Sequence, residues 1–374
     1  MQSMTVQETL ADLVAIESVS SRSNSEIIDY LQRRCERAGF AVKRFTYNDG
    51  NEKINLLATK GGDQSYAELA LVGHTDTVPY DPNWIEATTL TENDGKLFGR
   101  GACDTKGFIA SALTAVDSLD LNRLKRPLAL IFTADEEIGL LGAKYLAELA
   151  AVRLRYSIVG EPTSLQPIRA GKGYALAEVI VRGREAHSAY PALGSSAVFR
   201  AARLVARLET IAQHLRTDTH EGFDPPFTTL NVGVINGGTA KNVIAGECRF
   251  TLEWRPIPTQ NPTLVLDLLH AGIDEEKKTD PEFDCEIDFS RKDSGFETSS
   301  DSALVTFLEN ITEKKAGSVA FGTEGAQMMR LGSEAVVLGP GDIRQAHRTG
   351  EFVPIDELKR CVEILTKSIE HFCW

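Results

Sequence analysis

The pattern of apolar and polar positions alternates along the first 170 residues between the period of a helix and the runs typical of buried strands. Thr5 followed by Glu8, ahead of the apolar positions Leu10, Leu13 and Val14, predicts a capped amphipathic helix. The elements predicted after it are, in order, a helix over 24–38 that ends at Gly39, the strands "NLLATKG" and "AELALVGH", a helix after Lys106, the strand "PLALIFT", the helix "LLGAKYLAELA" and the strand "YSIVGE". This alternation predicts an α/β domain with a mostly parallel sheet and helices on both faces.

From residue 173 the order of the elements changes. The predicted order is the strand "GYALAEVIVRG", a helix around 195–212, the strands "TTLNVGVING" and "ECRFTLEWRP", a helix near 262–272 and the strand "CEIDFS". A β-α-β-β-α-β order is that of a ferredoxin-like α+β unit.

The last part of the chain returns to the α/β pattern. A helix near 301–314 and the strand "AVVLGPG" precede a closing helix with an apolar face made of Leu358, Val362, Leu365, Ile369 and Phe372. The smaller unit, residues 173–290, is therefore predicted to be inserted into a larger domain formed by residues 1–172 and 291–374. A chain of 374 residues is long enough for two such domains.

Composition narrows the classes of partner and the compartment. The net charge of −13 argues against a nucleic-acid partner and against an anionic membrane surface. The N-terminal stretch has no basic segment followed by a continuous apolar run, and no apolar run reaches the length of a membrane span, so we expect no membrane partner and no secretion. The cysteines form no C-x-x-C pair or disulfide pattern, which indicates a reducing cytoplasm; they are Cys35, Cys103, Cys248, Cys285, Cys361 and Cys373.

Several of the predicted apolar strands end in, or are followed by, histidine, aspartate or glutamate. These residues are His74 and Asp76 in "LALVGHTDTVP", Asp104 in "FGRGACDTKG", Asp135, Glu136 and Glu137 in "LIFTADEEIG", Glu161 in "SIVGEPT", and His347 in the glycine-rich "GPGDIRQAHRTGEF". The carboxyl ends of strands in an open α/β sheet line one crevice, so these side chains are expected to converge. Any one of them alone could be a polar strand end or a helix cap. Together, two histidines and several carboxylates without a thiolate predict a site for zinc, cobalt or manganese.

The segments "GHTDTVP", "GRGACDTKG", "ADEEIG", "GEPT" and "QAH" resemble, in the same order, those of the co-catalytic zinc deacylases and peptidases. The resemblance covers essentially the whole chain. It implies two divalent metal ions, zinc above all with cobalt or manganese as substitutes, and an inserted lid domain through which a homodimer forms. The segments "VGEPTSLQPIRAGKG", "FTTLNVG", "LGPGDIRQAH" and "HFCW" are most similar to the branch of the family that acts on acetylornithine.

The same resemblance implies a ligand set. Asp104 would bridge the two ions, His74 and Glu161 would complete one site, and Glu137 and His347 would complete the other.

Two further acids have expected roles beside these ligands. Glu136 would be the general base, because adjacent residues on a turning backbone point in different directions and a ligand cannot also transfer the proton. Asp76 would orient the imidazole of His74, with a plain polar strand end as the alternative.

Residues of the lid and of the late loops complete the expected site. His187 in "GREAHSAYP" would reach into the partner subunit's active site and stabilise the oxyanion, with a surface histidine as the alternative. Asn242 and Arg255 would bind the substrate carboxylate, although Arg255 could also belong to a structural ion pair. Glu324 in "FGTEGAQ" would pair with a cationic substrate side chain or act structurally.

Three residues beside the ligands have no such role. Asp135 is expected to cap or hydrogen-bond the turn. Thr105 stands where methionine is usual in the family. Cys103 as a thiol nucleophile is disfavoured, because no histidine base is offered by its neighbourhood. The remaining histidines, which are His214, His220, His270 and His371, are expected to be ordinary surface or core residues.

The expected activity is therefore hydrolysis of the amide of an N-acyl amino acid, above all acetylornithine, by a cytoplasmic, homodimeric two-metal enzyme. The alternatives are a related deacylase, acting for example on acetylcitrulline or succinyl-diaminopimelate, and a dipeptidase. A non-catalytic binding protein on the same fold would require a broken ligand or base, and none is broken in this sequence.

Overall fold

The computed structural model describes residues 4–48 and 51–374. In these ranges the helices are α1 (Val6–Ala15), α2 (Ser25–Arg37), α3 (Lys106–Asp117), α4 (Leu141–Glu148), α5 (Ala197–Leu215), α6 (Leu264–Thr279), α7 (Ala303–Thr312), α8 (Gly325–Arg330) and α9 (Ile355–Cys373). The strands are β1 (Ala41–Asn48), β2 (Glu52–Lys60), β3 (Tyr66–His74), β4 (Thr91–Asn93), β5 (Lys96–Phe98), β6 (Leu128–Thr133), β7 (Arg153–Val159), β8 (Ile168–Gly171), β9 (Tyr174–Arg182), β10 (Thr229–Gly237), β11 (Glu247–Arg255), β12 (Asp284–Asp293), β13 (Phe296–Glu297), β14 (Gly317–Val319), β15 (Glu334–Val337) and β16 (Phe352–Pro354). None of these helices is both long and apolar enough to cross a membrane.

The predicted N-terminal helix is confirmed from Val6 onward, while the first three residues of the N-terminal segment lie outside the described ranges. The Thr5 hydroxyl accepts a hydrogen bond from the Glu8 amide at 3.2 Å. The Glu8 carboxylate accepts one from the Thr5 amide at 2.8 Å. The two bonds form the reciprocal capping box that the sequence predicts.

The chain divides into two compact units. Unit 1 takes the chain up to Arg169, then Glu297–Gly317 and Thr323–Trp374, and unit 2 consists of Ala170–Phe296 and Ser318–Gly322. The boundaries differ by a few residues from the predicted 173–290, because β12 continues to Asp293. The short segment 318–322 was predicted to lie in the larger domain but belongs to unit 2. There the Lys172 amide donates a hydrogen bond to the Val319 carbonyl at 3.1 Å.

Unit 1 is built on a sheet in which β1-β2-β6-β3-β7-β15 follow one another and Ile168 of β8 pairs with Val337 of β15. At its centre β3 pairs in parallel with β6 and β7, and β15 pairs in parallel with β7, as the alternating pattern predicts. The edge strands β1 and β2 are antiparallel, and β1 was not predicted. Residues 41–47 of this strand are half-buried or exposed with no regular alternation, so the hydrophobic pattern carries little signal there.

Two groups of helices pack on this sheet. One group contains α1, α3 and α9, and the other contains α4 and α8, which contact β2, β7 and β15. On α9 the predicted face is buried at Leu358, Leu365, Ile369 and Phe372, whereas Val362 is only partly buried. The parallel register places His74 opposite Thr133 and Val72 opposite Val159, so the segments that follow β3, β6 and β7 start at the same edge of the sheet.

Unit 2 has the predicted β-α-β-β-α-β order. Its four-stranded antiparallel sheet has the strand order β10-β11-β9-β12, and α5 and α6 pack together with its inner side chains in one apolar core. The helix α6 continues to Thr279, past the predicted end near 272. Gly272 lies inside the helix, and a side chain there would meet the Arg207 side chain of α5, so glycine at this position allows close packing.

Candidate metal and catalytic site

His74 ends β3 with both ring nitrogens engaged. Its Nδ1 lies 3.0 Å from the Asp76 carbonyl oxygen, and its Nε2 lies 3.0 Å from Asp104 Oδ1. Burial lowers the pKa of His74, but hydrogen bonds to Asp104 and Asp76 outweigh it and raise that pKa well above its usual value. The ring is therefore fixed with Nε2 directed at the Asp104 carboxylate.

Asp104 lies between two histidines. Its Oδ2 is 3.2 Å from His347 Nε2, on the oxygen opposite to the one that faces His74. Only 6% of Asp104 is exposed. A buried carboxylate with one imidazole on each oxygen has the donor arrangement expected of a residue that bridges two cations.

Glu137 and His347 form the other side of the cluster. His347 Nε2 lies 3.0 Å from Glu137 Oε2, and hydrogen bonds to Asp104 and Glu137 raise the pKa of His347 to about 10. His74, Asp104 and Glu137 each offer a ligand atom within 4.8 Å of the others. The two imidazoles face the carboxylates of this cluster, and a divalent cation fits the same oxygen and nitrogen donors.

Glu161 is buried two residues beyond β7 but does not belong to that three-ligand group. Burial and the charges of Asp104 and Glu136 raise its pKa well above the usual value, so its carboxylate faces the same cluster. A side chain at Gly339 would meet the Glu161 carbonyl at 2.5 Å, so glycine allows this close approach. Thr105 donates from its hydroxyl to the Gly160 carbonyl at 3.0 Å and thereby connects the Asp104 turn to the Glu161 segment.

Asp76 holds the backbone of both neighbouring glutamates. Its Oδ1 accepts the Glu136 amide at 3.1 Å and its Oδ2 accepts the Glu137 amide at 3.3 Å. The Ser20 hydroxyl donates to Oδ2 at 2.7 Å, and His74 Nδ1 lies 3.7 Å from Oδ1. Asp76 is thus the common anchor of His74 and of the turn that carries the two glutamates.

The partly buried Glu136 lies outside the three-ligand group. Burial and the charges of Glu137, Glu324 and Asp104 raise its pKa well above the usual value. The carboxylates at this edge of the sheet therefore crowd one another.

Asp135 makes the structural hydrogen bonds expected of it. It is fully buried, with a positive φ of 55°, and accepts from Lys53 Nζ at 2.6 Å and from the Tyr47 hydroxyl at 3.0 Å. The Asn55 side chain on the same strand as Lys53 accepts the Ala134 amide at 3.0 Å. Strand β2 therefore supports the turn on which Glu136 and Glu137 stand.

Glu324 occupies the N-cap position of α8 and is 1% exposed. Burial raises the pKa of Glu324 to about 7. The charge of His74 opposes this rise, and the charge of Asp76 adds to it. The carboxylate lies beside the Thr133 hydroxyl, which acts as a weak hydrogen-bond donor to it and lowers its pKa. The Glu324 carboxylate therefore lies near His74 and Thr133, the last residues of β3 and β6.

Three of the predicted site residues belong to unit 2. The loops of His187 and Asn242 lie side by side there, since the Ser188 amide donates to the Asn242 carbonyl at 3.0 Å, and both residues are exposed. Arg255 Nε donates to Glu253 at 2.9 Å, and its guanidinium lies 3.7 Å from the centre of the Tyr174 ring. The ion pair considered as the alternative for Arg255 is thus present.

Residues 70–371 match the sequence profile of peptidase family M20/M25/M40. The chain belongs to this family. Membership makes it a metal-dependent hydrolase of amide bonds, and the expected resemblance is confirmed.

Two named proteins match nearly the whole chain. An acetylornithine deacetylase of Myxococcus xanthus is 54% identical over 98% of this chain and 97% of its own. An acetylornithine deacetylase of Proteus mirabilis (strain HI4320) is 36% identical over 98% of this chain and 96% of its own.

Solved structures share the fold. A tripeptidase from Staphylococcus aureus superposes with a TM-score of 0.77 at 22% identity, with 99% of each chain covered. An M20 family metallo-carboxypeptidase from Sulfolobus solfataricus does so with a TM-score of 0.78 at 19% identity, again with 99% of each chain covered.

Sequence reasoning missed two buried charged residues of this family site. Glu351 Oε1 accepts the amides of Cys103 and Asp104 at 2.9 and 3.1 Å, and its Oε2 accepts from Arg100 Nη1 at 2.6 Å. The available signal was an arginine and a glutamate inside the segments "FGRGACDTKG" and "HRTGEF". Burial raises the pKa of the Cys103 thiol, which keeps it protonated and disfavours the nucleophile alternative.

Replacing Lys53 by methionine should destabilise the protein by about 3–5 kcal/mol, because it leaves the buried Asp135 carboxylate without its cation. Urea unfolding followed by circular dichroism measures the loss. The matched control is Lys278→Met, which removes an exposed ion pair with Glu275 and should leave the free energy of unfolding nearly unchanged. Equal losses for the two variants would contradict a supporting role for Lys53.

Proposed function

We propose that this protein hydrolyses N-acetylornithine to ornithine and acetate, in the cytoplasm and as a step towards arginine. The observation that carries the substrate is the 54% identity, over 98% of the chain, to the Myxococcus xanthus protein named acetylornithine deacetylase. The reducing compartment is supported by the six cysteines, all of which are free.

Two divalent ions, with zinc as the proposed metal and cobalt or manganese able to substitute, are held by the convergent donors. Asp104 would be shared by the two ions, His74 and Glu161 would complete one site, and Glu137 and His347 would complete the other. The support is the approach of one imidazole Nε2 to each Asp104 oxygen, at 3.0 and 3.2 Å. Two such ions lower the pKa of a water and polarise the amide oxygen.

Glu136 takes a proton from the attacking water and returns it to the departing amine. Two observations support this role: Glu136 lies outside the three-ligand group, and its backbone amide is fixed by Asp76 at 3.1 Å. Asp76 in turn sets the orientation of His74 and of both glutamates, so its role is to keep the base and the ligands in one arrangement.

Unit 2 is proposed as the lid through which two copies pair. The strand β10 lies at the edge of its sheet, and Val234 and Ile235 on that strand are 55% and 51% exposed. The outer side of an edge strand has unpaired backbone groups, and exposed apolar side chains beside them suit the strand to pairing with a second copy. His187 then stabilises the oxyanion in the partner's site.

Asn242 and Arg255 are proposed to bind the substrate carboxylate. The support is that the Asn242 loop lies beside the His187 loop, and that Arg255 bonds Glu253 through Nε, which leaves the rest of its fork for a carboxylate. Glu324 is proposed to select a substrate with a cationic side chain. Its support is a carboxylate that is buried beside the proposed ligand His74.

A substrate panel tests the proposed reaction. The purified protein loaded with zinc should release ornithine from acetylornithine faster than it hydrolyses acetylcitrulline, succinyl-diaminopimelate or short dipeptides. Glu324→Gln should narrow the preference for acetylornithine over acetylcitrulline, because the cation loses its partner. Faster hydrolysis of another substrate would replace the proposed one, and an unchanged preference in Glu324→Gln would assign that residue a structural role.

Glu136→Ala should lower kcat by about 10²–10⁴-fold, because the proton transfer loses its base, while the bound metal stays near the wild-type amount. Turnover and elemental analysis of the same sample measure the two quantities. Asp104→Asn is the comparison, since it should lose metal as well as turnover. Loss of metal from Glu136→Ala would show that the roles of Glu136 and Glu137 were assigned wrongly.

Mixing subunits tests whether His187 acts across the dimer. His187→Ala and Glu136→Ala homodimers should each be nearly inactive, and heterodimers refolded from both should regain activity, because one site then contains an intact base and an intact histidine. The control is each variant refolded alone. Heterodimers as inactive as both parents would place His187 in the site of its own chain.

A further inference from the structure

Glu351 is one of the most deeply buried acids of unit 1, and among the described residues its side chain accepts hydrogen bonds from Arg100 and from the turn that carries Asp104. It is 1% exposed. Its Oε1 accepts the amides of Cys103 and Asp104 at 2.9 and 3.1 Å, and the Gly99 amide donates to the Glu351 carbonyl at 3.1 Å. Glu351 therefore fixes the backbone at Gly99, just before Arg100, and at Cys103 and Asp104, just after it.

The same residue lies four positions after His347, so it belongs to the segment that carries a second ligand. Directly after it, β16 pairs with β5, with Phe352 opposite Phe98. Cys103 Sγ also donates to the Asp342 carbonyl at 3.5 Å, which adds a contact between the two segments. Glu351 thus connects the turn of Asp104 to the loop of His347 through side chain and backbone.

Arg100 supplies the charge that makes this connection strong. Its Nη1 donates to Glu351 Oε2 at 2.6 Å, and the two side chains are 5% and 1% exposed. Its Nη2 donates to the Pro79 carbonyl at 3.3 Å, in the segment that follows His74. Charge-assisted hydrogen bonds of this kind are about twice as strong as neutral ones. The pair therefore links the segments of three ligands.

We propose that Glu351, held by Arg100, is a positioning residue for the metal site, which sets the separation of Asp104 and His347. The inference rests on the proposed metal site. It has a physical reason: the backbone amide of Asp104 donates to Glu351, so the direction of the Asp104 carboxylate depends on that bond. Without it, only the pairing of β5 with β16 and the Cys103 contact join the turn to the His347 loop, so the ligands are held less firmly in their common arrangement.

The experiment measures Zn²⁺ affinity of the full-length apoprotein by competition with a chromophoric chelator, and thermal unfolding of the same apoprotein. Glu351→Ala removes every side-chain acceptor and should weaken Zn²⁺ binding by about 10–100-fold, the range seen when partners of metal ligands are lost. Glu351→Gln keeps one oxygen for the two amides but loses the charge, so its affinity should lie between Glu351→Ala and wild type. If Glu351→Ala does not fold, the Zn²⁺ affinity of Glu351→Gln tests the inference by itself.

The matched control is Asp117→Asn. Asp117 accepts from Arg34 Nη2 at 2.7 Å, and the side chains of this pair are 22% and 4% exposed, so it is another largely buried ion pair of unit 1. It joins α3 to α2 and is not hydrogen-bonded to any proposed ligand. Asp117→Asn should lower the melting temperature of the apoprotein but leave Zn²⁺ affinity within twofold of wild type.

The outcomes separate the inference from the proposal on which it rests. Wild-type apoprotein that binds no Zn²⁺ would overturn the metal site and the inference together. Wild type that binds Zn²⁺, with Glu351→Gln equally tight and only less heat-stable, would overturn the inference alone. Weakened binding in Asp117→Asn equal to that in Glu351→Gln would also overturn it, because the effect would then follow from general stability.

Discussion

The repulsion among carboxylates gathered at one edge of a parallel sheet is the constraint on which the rest of the site depends. The parallel register brings the segments of His74, Asp135–Glu137 and Glu161 to the same edge, so their charges cannot separate without breaking the sheet. Burial makes this repulsion stronger, as the raised pKa values of Glu136 and Glu161 indicate. A cation or a proton among these groups relieves the repulsion, and the donor set fits divalent metals.

Neighbouring residues without a proposed catalytic or ligand role stabilise this arrangement. Asp76 accepts the amides of both glutamates, Lys53 neutralises Asp135 from β2, and Glu351 with Arg100 fixes the turn of Asp104. Each of these groups is almost fully buried, where hydrogen bonds and ion pairs are strong and an unpaired group is costly. The three adjacent acids of "TADEEIG" are consequently not equivalent, because their different partners give them different directions.

Much of the architecture was predictable from periodicity. The α/β alternation, the β-α-β-β-α-β order of unit 2 and the buried face of α9 all follow from apolar spacing, which reports burial directly. Strand β1, the six-residue α8 and the length of α6 were not predicted. These elements have weak local signals: β1 is an edge strand without a regular pattern, α8 is too short for a period, and Gly272, which packs against Arg207, lies inside a helix and not at its end.

The sequence by itself determined which residue types end the strands and in what order they occur, and hence the family and the donors of the proposed site. Such information is local, since it depends on residue identity and spacing along the chain. Only the tertiary structure decided that Asp104 has one imidazole on each oxygen, that Asp135 pairs with Lys53 and that Glu351 reaches the amide of Asp104. These contacts join residues 30 to 247 positions apart. Their partners are chosen by strand register and packing, which no local pattern of the chain encodes.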